Sequence, residues 1–134
     1  MATLHASGNF EVTLTPVPLQ HAQADVSLAR RAIAKQFHGD LQAQSHGEML
    51  SAMGSEKGSA GYVAIEQVSG TLHGRSGSFV LQHSGVMTRG APQLSVSVVP
   101  DSGTGELAGL SGQMQIQISE GRHSYTFDYV IGSN

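Results

Sequence analysis

Strict alternation of apolar and polar residues is the feature that most constrains the fold of this chain. In the first run, polar side chains separate Leu4, Ala6, Gly8, Phe10, Val12 and Leu14. Successive side chains of a strand point to opposite faces, so a period of two indicates a strand with one buried face. Further alternating runs follow at residues 62–72, 78–86, 94–98, 113–118 and 123–131. The sequence therefore predicts an all-β protein with many turns.

Composition narrows the class of protein. A length of 134 residues suits one domain over residues 1–134, and the net charge of -3 comes without any block of like charges. We therefore expect neither nucleic acid nor a membrane as a partner. No cysteine is present, which excludes disulfides and thiolate chemistry, and the first residues, MATLHASGNF, do not form a secretory signal. A cytoplasmic protein is the expectation.

Two segments do not follow the alternation clearly. Residues 25–37 have apolar residues at helical spacing, but they also alternate like a strand, so the pattern alone leaves helix and strand open. Residues 40–53 form an irregular strand at best, because Gly47 interrupts them.

Glycines recur in a motif, Gly-x-Leu followed by further glycines, that begins at Gly39, Gly70 and Gly105. Each copy joins two alternating runs, which suggests similar corners in one continuous antiparallel sheet. The third copy lies in SGTGELAGLSG, residues 102–112, whose glycine spacing is close to that of a nucleotide-binding loop. Such a loop must lead into a helix, whereas residues 113–119 alternate like a strand. We therefore predict a tight connection, with one helical turn at residues 105–108, and no cofactor.

Residues 66–83 and 102–110 carry a family resemblance. These blocks are similar to a bacterial family of unknown function that is grouped with the allene oxide cyclase-like barrels, which include the dirigent proteins. The resemblance implies an eight-stranded antiparallel β-barrel and favours a strand at residues 28–38. It implies no reaction. Allene oxide cyclase isomerises an apolar epoxide without a cofactor and dirigent proteins steer radical coupling, but either activity would reach this chain only by analogy of fold.

The hairpin between residues 62–72 and 78–86 suggests which face lines the barrel. If its loop is residues 73–75, Glu66 lies opposite Gln82 and Val68 opposite Val80. We predict that this face, with Tyr62 and Ala64, lines the lumen. The opposite face, with Val63, Ile65, Phe79, Leu81 and His83, would then pack outward, against another subunit of a homo-oligomer or against the chain ends.

Glu66 is the main candidate for chemistry. In an apolar lumen desolvation would raise the pKa of Glu66 and make it a general acid or base, with Glu48 joining it from a neighbouring strand. Tyr62, Gln82, Ser78 and Val80 are the candidate ligand-binding residues. The simpler alternative is that Glu66 only forms a hydrogen bond with Gln82.

The seven histidines do not predict a metal site. The barrel signal of H-x-H followed by a carboxylate is absent, and its nearest approach is His46-Gly47-Glu48. We expect no metal.

Two functions remain open from the sequence. In the first, the lumen binds a small, mostly apolar molecule, with or without cofactor-independent isomerase or cyclase chemistry at Glu66. In the second, the chain is a non-catalytic structural or binding homo-oligomer with a filled barrel. A cavity of roughly 300 Å³ or more that reaches solvent would separate them.

Overall fold

In residues 2–20 and 27–132, which a computed structural model describes, eight antiparallel strands form a closed barrel. Each strand pairs with the next along the chain, and the last pairs with the first. The strands are β1 Leu4–Val17, β2 Leu28–Gly39, β3 Leu41–Met53, β4 Ala60–Leu72, β5 Arg75–Thr88, β6 Ala91–Val98, β7 Leu110–Ser119 and β8 Arg122–Ile131. The predicted eight-stranded antiparallel barrel is confirmed. No helix in this part of the chain is long and apolar enough to cross a membrane.

The two unclear segments are both strands. β2 begins at Leu28 and pairs along its length with β1 and β3, so the helical alternative is wrong there, while residues 25 and 26 lie outside the described residues. Ile33, Lys35 and Phe37 are buried on one face of β2, which is the period-two pattern. β3 is continuous through Gly47 rather than irregular, since the ladders to β2 and β4 run past this residue.

The repeated Gly-x-Leu motif marks one end of the barrel. Leu41, Leu72 and Leu107 are each at most 1% exposed and belong to one apolar cluster. The connections β2–β3, β4–β5 and β6–β7 all lie at this end, because consecutive strands run up and down. Three aromatic rings pack there: the centroids of Phe79 and Phe127 are 5.8 Å apart, and those of Phe127 and Tyr129 are 5.3 Å apart. This closed end is therefore filled by side chains.

The glycine-rich segment of residues 102–112 turns at the closed end, and the predicted helical turn is a 3₁₀ helix, Gly105–Leu107. Gly105 has a φ of +59°, which favours glycine. The hydroxyls of Ser102 and Thr104 and the carboxylate of Glu106 accept hydrogen bonds from backbone N–H groups of β5. β6 ends at Val98, so this segment covers the stretch of β5 that β6 does not reach. The loop joins strands and completes the barrel wall.

Candidate functional site

The opposite end of the barrel, where β1–β2, β3–β4, β5–β6 and β7–β8 are connected, is open. A cavity of about 690 Å³, here called the lumen cavity, occupies this half. Its apolar lining includes Phe10, Ile33, Met49, Ala64, Leu94 and Ile116, and its polar lining includes Lys35, Tyr62 and His83. The cavity exceeds the size that separates the two sequence-based functions, so the filled barrel describes only the closed half.

The β4–β5 hairpin differs from the prediction by one residue. β4 ends at Leu72 and β5 begins at Arg75, so His73 and Gly74 alone form the turn, with φ angles of +47° and +79°. Positive φ at both central residues is typical of the type I′ turn of two-residue hairpins. Glu66 therefore pairs with Leu81 rather than with Gln82, and Val68 with Phe79 rather than with Val80.

This shift reverses the face of β5, because a change of one residue moves every side chain to the other side of the sheet. Phe79, Leu81 and His83 are buried in the interior, contrary to the prediction that they pack outward. Ser78, Val80 and Gln82 are on the outer face, so their predicted position in the lumen is wrong.

On β4 the predicted faces are confirmed. Ala64, Glu66 and Val68 are buried inside the barrel and Tyr62 lines the lumen cavity. Val63 and Ile65 are about half exposed on the outside, as predicted.

Glu48 does not lie near Glu66. Gly47 is the residue of β3 opposite Glu66, so its neighbour Glu48 points to the other side of the sheet. There it is exposed and forms an ion pair with Arg30, with 2.6 Å between Nε and Oε1. The hydrogen bond and charge of Arg30 lower the pKa of Glu48. The prediction that Glu48 joins Glu66 in the lumen is wrong.

Glu66 is fully buried and has three polar partners. The ammonium of Lys35 donates to Oε2 at 2.9 Å, and Nε2 of His83 lies 2.6 Å from the same oxygen. The hydroxyl of Ser45 donates to Oε1 at 2.8 Å. The predicted partner Gln82 is not among them. Lys35, Ser45, Glu66 and His83 are here called the Glu66 cluster.

The partners, rather than burial, decide the ionisation of Glu66. Burial raises the pKa of this carboxyl, but the hydrogen bonds and charges of His83 and Lys35 together outweigh it and lower the pKa to about 2. The sequence-based expectation of a raised pKa is wrong because it placed no cation in the lumen. Glu66 is a carboxylate at neutral pH and has no proton to give as a general acid.

An ionised Glu66 determines the proton positions around it. A carboxylate only accepts hydrogen bonds, so Nε2 of His83 must carry the proton that they share. In the neutral imidazole Nδ1 is then an acceptor, and the hydroxyl of Tyr62 lies 3.2 Å from it. Burial and the nearby Glu66 charge raise the pKa of Tyr62, so this phenol keeps its proton and donates it. Tyr62, His83 and Glu66 thus form a chain of hydrogen bonds, here called the relay, that begins in the lumen cavity.

Lys35 contributes the positive charge of the cluster. Its ammonium lies 4.9 Å from the ring centroid of Phe10 and 5.7 Å from that of Phe37, and these aromatic faces favour a cation. The sequence analysis missed Lys35, although a lysine between Ile33 and Phe37 on the buried face of a strand was a signal. It missed His83 because of the register error.

Two glycines leave room for the acidic and phenolic side chains. A Cβ at Gly47 would lie 2.8 Å from Cβ of Glu66 and 2.0 Å from the carbonyl oxygen of Ile65. A Cβ at Gly85, the residue opposite Tyr62, would lie 2.4 Å from the Tyr62 ring. Each glycine therefore leaves the space that the side chain of the opposite residue, Glu66 or Tyr62, occupies.

Among residues 2–20 and 27–132, no three histidine or carboxylate side chains converge as metal ligands do. In the Glu66 cluster the ammonium of Lys35 is itself a cation bound to the carboxylate, and it would repel a second one.

Comparison with known proteins identifies relatives of this barrel. The family model described as "Protein of unknown function (DUF3224)" matches residues 6–129. A crystal structure of a protein with unknown function from the DUF3224 family, from Shewanella oneidensis MR-1, is 51% identical and has a TM-score of 0.95. The match covers 99% of this chain and 100% of that one. No curated protein matches the chain significantly.

The depressed pKa predicts how stability depends on pH. The folded-state pKa of Glu66, about 2, lies below its ordinary value of 4.5. Its contribution to the free energy of unfolding is therefore complete above pH 4.5 and is lost as the pH falls to 2, by about 3 kcal/mol. Urea denaturation at pH 5 and pH 2 should show this loss in the wild type.

Two variants isolate the effect of Glu66 in the same measurement. Glu66→Gln should be less stable at pH 5, because it leaves Lys35 without a counter-charge, and its stability should fall about 3 kcal/mol less between the two pH values. Glu48→Gln, the same substitution on the outer face, should retain most of the wild-type difference, because solvent screens the exposed ion pair of Glu48 with Arg30. Equal differences in all three proteins would contradict the assignment.

Proposed function

Because the chain belongs to the DUF3224 family, whose description assigns no activity, we propose a function from the lumen alone: it binds a small, mostly apolar molecule that carries one neutral oxygen acceptor. The observation that carries this proposal is the Glu66 cluster at the inner end of an apolar cavity that is open to solvent.

The walls of the cavity support an apolar ligand. Cavities of roughly 300–1,000 Å³ with apolar walls and a few convergent polar groups are typical of small-molecule sites. The lumen cavity, at about 690 Å³, is in this range, and the rings and aliphatic chains of Phe10, Ile33, Leu94 and Ile116 line it. Burial of apolar surface there would supply most of the affinity.

The polar groups support an oxygen acceptor. An ammonium has three N–H donors, and Glu66 accepts one of those of Lys35. Lys35 also lines the lumen cavity, where a ligand oxygen could accept a hydrogen bond from another N–H group of the ammonium. The ammonium of Lys35 and the carboxylate of Glu66 carry opposite charges that cancel. A ketone, alcohol or epoxide would therefore add no net charge to the desolvated site, whereas a carboxylate would.

We also propose that this barrel is related to the allene oxide cyclase-like barrels. A further part of the proposal is that it acts as a cofactor-independent isomerase or cyclase. Their support is the combination of a closed eight-stranded barrel with acid–base groups inside an apolar lumen. In this form of the proposal Glu66 acts by orienting His83 and holding Lys35. Tyr62 meets the ligand.

Self-association is a second proposal, and it rests on the outer face. Leu50, Val63 and Ile65, here called the outer patch, are 51%, 53% and 50% exposed on the neighbouring strands β3 and β4. An apolar patch of this kind favours contact with another copy of the chain.

Sedimentation velocity tests self-association. The wild type should sediment as an oligomer. Ile65→Lys should sediment as a monomer because it adds a charge to the outer patch, and it should keep the fold because Ile65 is exposed. Ser69→Lys on the same face of β4 is the control and should remain oligomeric. A monomeric wild type at concentrations of about 100 µM would contradict the proposal.

Binding of Nile red, a neutral apolar dye with a carbonyl group, tests whether the lumen cavity binds a ligand. The wild type should enhance its fluorescence with a stoichiometry of one dye per chain. Ala64→Phe should weaken binding at least about tenfold because the added ring fills the lumen cavity. Val63→Phe, the same kind of enlargement at the adjacent outward position, should bind as the wild type does. Equal binding by both variants would place the dye outside the lumen and contradict the proposal.

The charge of the preferred ligand is tested with two competitors of equal chain length. 2-Octanone should displace Nile red at a concentration at least about tenfold lower than octanoate does, because only the carboxylate brings net charge into the site. Equal or better displacement by octanoate would contradict a preference for a neutral oxygen.

A further inference from the structure

We propose that the relay and Lys35 together move a proton on the carbon next to a ketone, so that the lumen enolises a bound ketone and can shift its double bond. This inference rests on the proposed binding of a neutral oxygen compound and names its class as an enolisable apolar ketone.

The relay has the arrangement of a general base held by a carboxylate. Glu66 accepts the Nε2 proton of His83 at 2.6 Å, which orients the ring and makes Nδ1 the basic nitrogen. The hydroxyl of Tyr62 lies 3.2 Å from Nδ1, and both side chains line the lumen cavity. In the proposed step the phenolic oxygen takes the proton from the ligand and passes its own proton to Nδ1.

Lys35 is placed to stabilise the oxygen of the same ligand. Its ammonium and Nε2 of His83 contact the same oxygen of Glu66, at 2.9 and 2.6 Å, so the cation lies next to the relay. An enolate oxygen carries more charge than a ketone oxygen. In this buried environment a nearby ammonium therefore stabilises the transition state more than the bound ketone.

The step is balanced without an oxidant or a reductant. The proton on the α carbon moves to the oxygen of Tyr62 while the phenolic proton moves to Nδ1 of His83. The C–H electron pair forms the carbon–carbon double bond, and the carbonyl π pair moves to the oxygen beside Lys35. Concerted transfer avoids a free phenolate, which burial disfavours.

Reversal of the step returns a proton to carbon. Return to the same carbon gives exchange with solvent, and return to the γ carbon of a conjugated enolate gives a shifted double bond. Tyr62 is therefore the residue that touches the reacting atoms, while Glu66 is a positioning residue that acts through His83.

Deuterium exchange into 2-tetralone, an apolar ketone with acidic α protons, tests the inference. With wild-type protein in D₂O, NMR should show the α protons disappearing faster than in buffer alone. Tyr62→Phe and His83→Gln should each lower the exchange rate of the α protons of the bound ketone at least about tenfold, because each variant removes a group of the proposed general base. Displacement of Nile red by 2-tetralone should remain within about threefold of the wild type, since neither substitution fills the cavity.

His46→Gln is the matched control, because His46 is on the outer face of β3 and the substitution is the same as at position 83. It should exchange the α protons of 2-tetralone as fast as the wild type does.

Tyr62→Phe protects the test against misfolding of His83→Gln. It removes only one oxygen from a part-buried residue, so it should fold even if His83→Gln does not.

The outcomes distinguish this inference from the proposal on which it rests. If 2-tetralone displaces Nile red but exchanges no faster than in buffer, the enolisation is overturned and the binding function stands. If exchange persists in Tyr62→Phe, Tyr62 is not the proton carrier and the relay is overturned. If 2-tetralone does not displace Nile red, the enolisation is overturned, and the binding function is decided by the comparison of Ala64→Phe with Val63→Phe.

Discussion

A buried carboxylate held between an ammonium and an imidazole determines the character of this barrel's interior. Glu66 has no exposed surface, and a charge in such a place is tolerated only when it is paired and fully hydrogen-bonded. Lys35 of β2, Ser45 of β3 and His83 of β5 meet this requirement together, so the cluster ties four consecutive strands, β2 to β5, to one another. The same contacts fix the tautomer of His83, and Lys35 and His83 also line the lumen cavity. Stability and the proposed chemistry at this site therefore depend on the same atoms.

The two ends of the barrel differ in how their interior is filled. At the closed end, the leucines of the Gly-x-Leu motif and the stacked rings fill the interior, and residues 102–106 satisfy the backbone of β5. At the open end the strands enclose the lumen cavity. The Glu66 cluster lies between the apolar packing and the cavity, so that it has side chains packed on one side and a cavity open to solvent on the other. Gly47 and Gly85 make this arrangement possible, because any larger residue would displace Glu66 or Tyr62.

The alternation predicted the strands because it is a local property that survives in the structure, whereas the closed eight-stranded barrel was implied by the family resemblance. The alternation also placed Glu66 and Tyr62 inside, since β4 alternates without a break. The partners of Glu66 could not be deduced in the same way. Whether His83 or Gln82 faces inward depends on one residue in the hairpin turn, and the positive φ of a non-glycine residue, His73, was not evident from composition. Lys35 was overlooked because a lysine in a strand is ordinarily solvated, and its burial depends on contacts across the barrel.

The ionisation of Glu66 is the central claim, and a ¹³C NMR titration of its side-chain carboxyl measures it directly. Glu66→Gln assigns the resonance by its disappearance, and Glu48 provides an exposed carboxyl in the same spectra. The account predicts that Glu66 stays ionised throughout a titration from pH 7 to pH 4 and titrates with a pKa of about 2. A midpoint at or above the ordinary value of 4.5 would mean that burial outweighs Lys35 and His83, and the assigned tautomer of His83 and the relay would be contradicted with it.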